Sequence, residues 1–260
     1  MTTTTVNGIT IGYDDEGTGD ALVLVHGHPF DRSMWRPQVE HFSSQGWRVI
    51  AADLRGYGES TVVPGTTPLP VFASDIAALL THLGVEEFVL GGLSMGGQIV
   101  MECVRLFPER LRGLVLADTS AGPESEEVRR YRREMADRLL REGMAGYADE
   151  VLWKMVARHN AEAGAHVRKM MHNAPPAGAA AALRGRADRP DYTATLAAVT
   201  VPTLVVVGSE DEYTPVADAE YIRARVPGSA LVVVDGAAHM PNLERPEAFN
   251  AAVADLLAQT

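Results

Sequence analysis

Residues Glu87 to Leu93 form an apolar, strand-like run that leads into Gly92-Leu93-Ser94-Met95-Gly96-Gly97 and then into a helical pattern. Small residues two places before and two after Ser94 let the backbone turn sharply from strand to helix. The hydroxyl then projects over the sheet edge, the arrangement of a nucleophile elbow. The N-terminus of the following helix favours negative charge developing at that point. Two other uses of such glycines are a plain packing turn and a phosphate-binding loop. The phosphate loop needs a Lys-Ser/Thr pair after its last Gly, and Gln98-Ile99 stands there instead.

A serine hydroxyl attacks well only when a base takes its proton and an acid holds that base in the right tautomer. Of the 8 His residues, His239 alone lies beyond the last strands, in Gly236-Ala237-Ala238-His239-Met240-Pro241. Asp211, in Gly208-Ser209-Glu210-Asp211-Glu212, follows a strand-like run and precedes His239, which gives the chain order nucleophile, acid, base. Three consecutive acidic residues also describe an ordinary solvated turn, and Asp118, at the end of another strand, competes as the acid.

A tetrahedral intermediate needs N–H donors aimed at its oxyanion. Met95, next after Ser94, offers one backbone N–H, and His28, in His26-Gly27-His28-Pro29, offers a second at another strand end. The same segment has a rival reading, in which His26 and His28, with Asp31 nearby, ligate a hydrolytic zinc ion. No third paired ligand is evident for it. The run Asp53-Leu54-Arg55-Gly56-Tyr57-Gly58-Glu59-Ser60 lacks the spacing of a dinucleotide fingerprint and reads as a structural turn at the rim.

These groups must be carried by strand ends. Apolar runs at Ala21 to His26, Arg48 to Asp53, Glu87 to Leu93, Leu111 to Asp118, Pro202 to Gly208 and Ala230 to Asp235 have the unbroken Val/Leu character of parallel strands covered on both faces. Helical patterns at Trp35 to Gln45, Val71 to Leu83, Met95 to Phe107, Val216 to Val226 and Glu247 to Leu257 alternate with them, which predicts a doubly wound α/β sheet with its ligand crevice at the carboxyl ends. Val6 and Ile9 to Tyr13, split by Asn7-Gly8, predict an antiparallel edge hairpin. Alternation fails between Gly122 and Asp191, where only helices are indicated. The expected organisation is therefore a core of residues 1–121 and 191–260, with residues 122–190 inserted as a helical cap. Met135, Met144, Met155, Met170 and Met171 would give that cap an adaptable apolar face. Trp153 and Met155 are the candidate pocket-lining residues, while Arg129, Arg130, Arg132 and Arg133 read as a solvated helix face.

The composition bounds the function. With 23 Lys plus Arg against 34 Asp plus Glu, the net charge is −11, so nucleic acid and anionic membrane are poor partners. The single Cys103 excludes an internal disulfide. No apolar run reaches the roughly 20 residues of a membrane span, and the Thr-rich start has no export-signal pattern, so a cytoplasmic location is expected.

The motifs HGHP, DLRGYGES, GLSMGG, GSEDEYTP and GAAHMPNLERP, in this order, resemble those of the α/β-hydrolase superfamily. With PPAGAAAALRGRADRPDY, the wording is most similar to 3-oxoadipate enol-lactonase-like hydrolases and carboxylesterases. The resemblance implies a mostly parallel eight-stranded sheet with a cap. It also implies Ser94, Asp211 and His239 as the triad, backbone N–H of His28 and Met95 as the oxyanion hole, and no cofactor or metal. The expected partner is a small ester or lactone, and a homo-oligomer is left open. Relatives usually place an aromatic or apolar side chain at the position of His28, and those cleaving carbon–halogen bonds or epoxides carry Asp at the elbow. Perhydrolysis, thioester hydrolysis and carbon–carbon bond cleavage use the same triad and stand as alternatives, ahead of the zinc hydrolase and of a non-catalytic ligand receptor.

Overall fold

The computed structural model of the protein describes residues 2–260. β1 (Thr2–Val6) and β2 (Ile9–Glu16) form the expected hairpin, turning at Asn7 and Gly8 with φ of 49° and 75°. Positive φ at both turn residues matches the right-handed strand twist. β2 extends past Tyr13 to Glu16 because Tyr13 to Glu16 pair antiparallel with β4 (Arg48–Ala52). Partner pairing overrides the polar Asp14-Asp15 that would end the strand by propensity.

The remaining strands are β3 (Ala21–Val25), β5 (Phe88–Leu93), β6 (Leu111–Ala117), β7 (Thr203–Gly208) and β8 (Ala230–Val234). The sheet has 8 strands in the order β1-β2-β4-β3-β5-β6-β7-β8, parallel from β4 onward. Every residue of β3, β5 and β7 is buried, which explains their unbroken apolar runs. Edge strand β8 is largely partly exposed. The chain leaves β3 toward β4 on one side and returns to β5 on the other, so the crevice of the sheet opens above the ends of β3 and β5.

α1 (Arg36–Ser44), α2 (Leu69–His82) and α3 (Met95–Leu106) cover the first half of the sheet. After β6 come α4 (Glu126–Glu142), α5 (Ala145–Met155), α6 (Ala161–Asn173) and α7 (Pro176–Ala187). A short α8 (Thr193–Ala197) leads back into the sheet, and α9 (Val216–Arg223), α10 (Pro241–Glu244) and α11 (Pro246–Leu257) complete it. Ser125 caps α4 by accepting the Val128 N–H, and Gly143 ends it at φ 75°. α4 packs on α7 and α5 on α6, and Met135, Met144, Met155, Met170 and Met171 are buried.

The inserted helices are fastened at their root by Glu124. Its carboxylate takes two hydrogen bonds from Arg132, at 2.5 and 2.7 Å, and one from Arg189 at 2.9 Å, joining the beginning of the insertion to its end. Burial works against the ionised form, yet Arg132 and then Arg189 more than offset it and hold Glu124 at about 2. Among the described residues no helix is long and apolar enough to cross a membrane.

α7 lies backbone-to-backbone against the loop after β4. A Cβ on Gly178 would stand 1.9 Å from the Gly56 carbonyl oxygen, and one on Gly185 would stand 1.8 Å from that of Thr67. The two glycines are seven residues apart and so share one face of the helix. Gly185→Ala must therefore lift α7 from the core. We expect a loss of about 1–3 kcal/mol, read as a lower midpoint in thermal or urea unfolding. An unaltered midpoint would show that the helix accepts the shift freely.

Candidate active site

Ser94 sits at φ 58° and ψ −117° between β5 and α3, a conformation unfavourable for a residue with a side chain. Its neighbours enforce it. A Cβ on Gly92 would lie 2.4 Å from Gly96 backbone atoms, and one on Gly96 would lie 2.2 Å from the Val25 carbonyl oxygen. The turn is pinned by the Ser94 N–H donating to Ala117 O at 2.9 Å and by Thr119 Oγ1 donating to Ser94 O at 2.7 Å. The elbow is thus tied to the end of β6 as well as to β3.

Beyond β7, Asp211 is almost fully buried and accepts the Tyr213 and Thr214 N–H groups at 2.8 and 3.1 Å, as well as the Thr214 hydroxyl. His239, beyond β8, places Nδ1 2.7 Å from Asp211 Oδ2. Burial alone would raise the Asp211 pKa. The His239 charge and the hydrogen bonds from His239 and Thr214 outweigh it and keep the carboxyl below its ordinary value. The structure therefore brings Asp211 and His239 into direct contact. Ser94 Oγ makes no hydrogen bond to His239, a contact of the kind that tightens as substrate enters.

Asp118 occupies the same cluster, with an oxygen within 4.8 Å of Asp211 and His239 ligand atoms. Its Oδ1 accepts the Gly208 N–H at 2.9 Å, whereas Oδ2 is buried without a partner. Burial first, and the Asp211 charge second, raise its pKa well above the carboxylate range. Between the two candidate acids, it is Asp211 that holds the imidazole.

The loop after β3 leans over the elbow, since a Cβ on Gly27 would come within 3.2 Å of Ser94 Cβ. The backbone N–H groups of His28 and Met95 donate to no acceptor among the described residues. His28 Nδ1 is 2.8 Å from the Tyr57 hydroxyl, and its Nε2 is buried without a partner. Burial, then the charge of Arg186, drives the His28 pKa well down, so the ring is neutral. His26 has no lone pair left for a metal: Nε2 accepts the Leu54 N–H at 2.9 Å, which leaves Nδ1 to donate to Gly27 O at 2.8 Å.

Met155 is buried, and its carbonyl accepts the His239 N–H at 3.1 Å. Trp153 is instead 38% exposed and packs against Gly164 and Arg158 on the outer side of the α5–α6 pair. Of the arginine run, Arg129, Arg130 and Arg133 pair with Glu126, Glu134 and Asp188 at the surface, while Arg132 turns inward to Glu124.

Other residues at the site carry no readable sequence signal. Tyr57 comes from the turn read as purely structural, Tyr147 packs 6.3 Å from the His28 ring, and Tyr213 packs 5.5 Å from His239. Glu244 ties down the His239 loop: Oε1 accepts the backbone N–H groups of Ala238 and Met240, and Oε2 accepts the Ala157 backbone N–H and the Asn160 side-chain amide. From α7, Arg186 reaches in to donate Nε–H to Gln98 Oε1 at 3.0 Å.

A strained serine at the β5–α3 junction, a buried carboxylate–imidazole pair beyond β7 and β8, and helices inserted after β6 define one class of architecture. The model of the alpha/beta hydrolase fold matches residues 20–246, and the chain belongs to that family. It is 28% identical over 257 residues to 3-oxoadipate enol-lactonase 2 of Acinetobacter baylyi, covering 96% of this chain and 94% of that one. A thermophilic esterase from Thermogutta terrifontis, solved with malate bound, superposes with a TM-score of 0.95 at 41% identity, covering 99% and 97% of the two chains. The enol-lactonase from Burkholderia xenovorans superposes at 0.91 with 28% identity, covering 99% and 100%.

The raised Asp118 pKa has a measurable consequence. A carboxyl whose folded pKa exceeds its unfolded one gives stability that is complete below the unfolded value and is lost as pH rises through the folded value. The amide of Asp118→Asn does not titrate and keeps the acceptor for Gly208. Its stability relative to wild type should therefore improve steadily as pH rises above the ordinary carboxyl range, about pH 4, as measured by urea unfolding at each pH. A stability difference that does not move with pH would mean that Asp118 is ionised in the native protein.

Proposed function

We propose that the protein is a serine hydrolase of carboxylic esters or lactones, acting through an acyl-enzyme. The buried Asp211–His239 pair, set at the same end of the sheet as the forced Ser94 elbow, carries this reading. His239 Nδ1–H donates to Asp211, which directs the Nε2 lone pair outward as the base. Ser94 Oγ attacks the carbonyl carbon as its proton passes to Nε2, and the carbonyl electrons move onto oxygen. The free N–H groups of His28 and Met95 receive that oxyanion. Collapse expels the alkoxide, which takes the proton from His239. Water, deprotonated by the same imidazole, then releases the acid and restores Ser94.

Family membership and the esterase and enol-lactonase relatives support the ester-bond class. Residues 122–190 serve in this reading as a cap over the crevice, excluding water and shaping the pocket from Met155, Tyr147 and Tyr213. The expected partner is a small, partly apolar ester or lactone. The engaged lone pairs of His26 argue against the zinc reading, and a receptor would have no use for the buried acid–base pair. Perhydrolysis, thioester hydrolysis and carbon–carbon cleavage remain chemistries of the same three residues, separable by a substrate panel.

A fluorophosphonate probe should label Ser94, as shown by peptide mapping, and Ser94→Ala should abolish labelling and lower ester hydrolysis by about a thousandfold or more. Activity should be indifferent to chelator. Label on another residue, or hydrolysis surviving Ser94→Ala, would overturn the assignment.

A further inference from the structure

Residues 155–160, where α5 ends and α6 begins, form a joint that sits on the loop carrying His239. The Met155 carbonyl accepts the His239 N–H at 3.1 Å. The Ala157 N–H donates to Glu244 Oε2 at 2.9 Å, and the Asn160 side-chain amide donates to the same oxygen at 2.6 Å and to the Gly236 carbonyl at 3.2 Å. Asn160 Oδ1 in return accepts from Arg245 Nη1 at 2.6 Å, and His159 Nε2 lies 3.0 Å from the Gly236 carbonyl oxygen.

The loop depends on this support. Between the end of β8 at Val234 and the start of α10 at Pro241, Glu244 Oε1 takes the Ala238 N–H at 2.9 Å and the Met240 N–H at 3.2 Å, and Met155 takes the N–H between them. Three consecutive N–H groups centred on His239 are thus held by one side chain and by the joint, and none by the sheet. Glu244 is buried, and its neighbour Arg245 turns away to Asn160 and to the Glu244 main-chain carbonyl. The carboxylate is therefore satisfied by N–H groups of uncharged partners, two at each oxygen. A buried carboxylate held in this way is costly to uncover, so the donors on its two oxygens stay in place together. A shift of the joint would strip Oε2 of both its donors or carry the His239 loop along.

We propose that Glu244 is a positioning residue for His239, through which the α5–α6 joint sets where the imidazole stands relative to Ser94. The inference rests on the hydrolase reading and names the device that places its base. Asp211 holds the ring at Nδ1, whereas Glu244 and Met155 hold the backbone from which the ring hangs. Turnover then depends on side chains that touch neither the substrate nor the reacting atoms, because a base misplaced by about 1 Å loses on the order of a hundredfold in rate.

The test reads kcat and KM on a short p-nitrophenyl ester together with the rate at which a fluorophosphonate labels Ser94. Glu244→Gln keeps the size of the side chain but turns one acceptor into a donor facing donors. It should lower kcat about 10- to 100-fold with KM within about twofold, and slow the labelling in parallel, since that step needs the imidazole and not the ester pocket. Asn160→Ala, at a half-buried position of the joint, removes one donor to Oε2 and should give a smaller loss of the same kind, about 3- to 10-fold. Arg168→Ala breaks only the surface pair with Asp149 that links α6 to α5, and should leave both rates unchanged. A loss confined to KM, labelling unaffected by Glu244→Gln and Asn160→Ala, or an equal loss in Arg168→Ala would overturn the proposal. Should Glu244→Gln fail to fold, Asn160→Ala decides by the same measurements. Wild type labelled at Ser94 beside variants of normal kcat refutes the positioning role alone, whereas wild type not labelled at Ser94 refutes the hydrolase reading.

Discussion

Everything at the site depends on how closely three pieces of backbone approach one another. Gly92, Gly96 and the Val25 carbonyl meet at distances no Cβ could share, and Ser94 is left with a positive φ as the only way from β5 into α3. That strain is held by hydrogen bonds from Ser94 N–H to β6 and from Thr119 to Ser94 O, so the sheet itself stabilises the elbow. Because the sheet is rigid and buried, a side chain placed this way keeps its position relative to every other strand end.

The Asp211–His239 pair is tuned by the same crowding. Asp118 and Asp211 stand next to each other in a dry environment, where two carboxylates cannot both be ionised cheaply. Their hydrogen bonds decide which one carries the charge. Asp211 accepts from two backbone N–H groups, the Thr214 hydroxyl and His239, whereas Asp118 accepts only from Gly208 and leaves an oxygen unsatisfied. A neutral Asp118 therefore lets the full charge face the imidazole. The turn Glu210-Asp211-Glu212 looks like three equivalent acids in sequence, yet Asp211 is buried while its two neighbours are exposed.

Residues whose role follows from local backbone chemistry were legible in the sequence. The elbow glycines, the Asn7-Gly8 hairpin and the apolar runs of β3, β5 and β7 each leave a signature within a few residues. β2 extends beyond its readable end because its partner strand, absent from any local window, supplies the pairing. Tyr57, Glu244 and Arg186 were illegible for the same reason: each acts on a group 29 to 88 residues away, and nothing beside them marks the contact. Trp153 shows the converse, since a large aromatic residue in a cap invites a pocket role, but its helix turns it outward over Gly164. Arg132 and Arg133 are adjacent in one arginine run, and helix phase alone sends one to buried Glu124 and the other to surface Asp188.

The inserted helices and the His239 loop are therefore one mechanical unit. Glu244 accepts backbone N–H groups from both sides of His239 with one oxygen, and the Ala157 N–H and Asn160 side-chain amide of the inserted segment with the other, while the Met155 carbonyl holds the His239 N–H directly. At the opposite side, Gly178 and Gly185 let α7 sink onto the core far enough for Arg186 to reach Gln98 on α3. A displacement of the inserted helices would pull on the imidazole at one end and on α3 at the other. In the proposed reading, substrate contacts made only with the inserted helices would be transmitted to the position of His239 relative to Ser94.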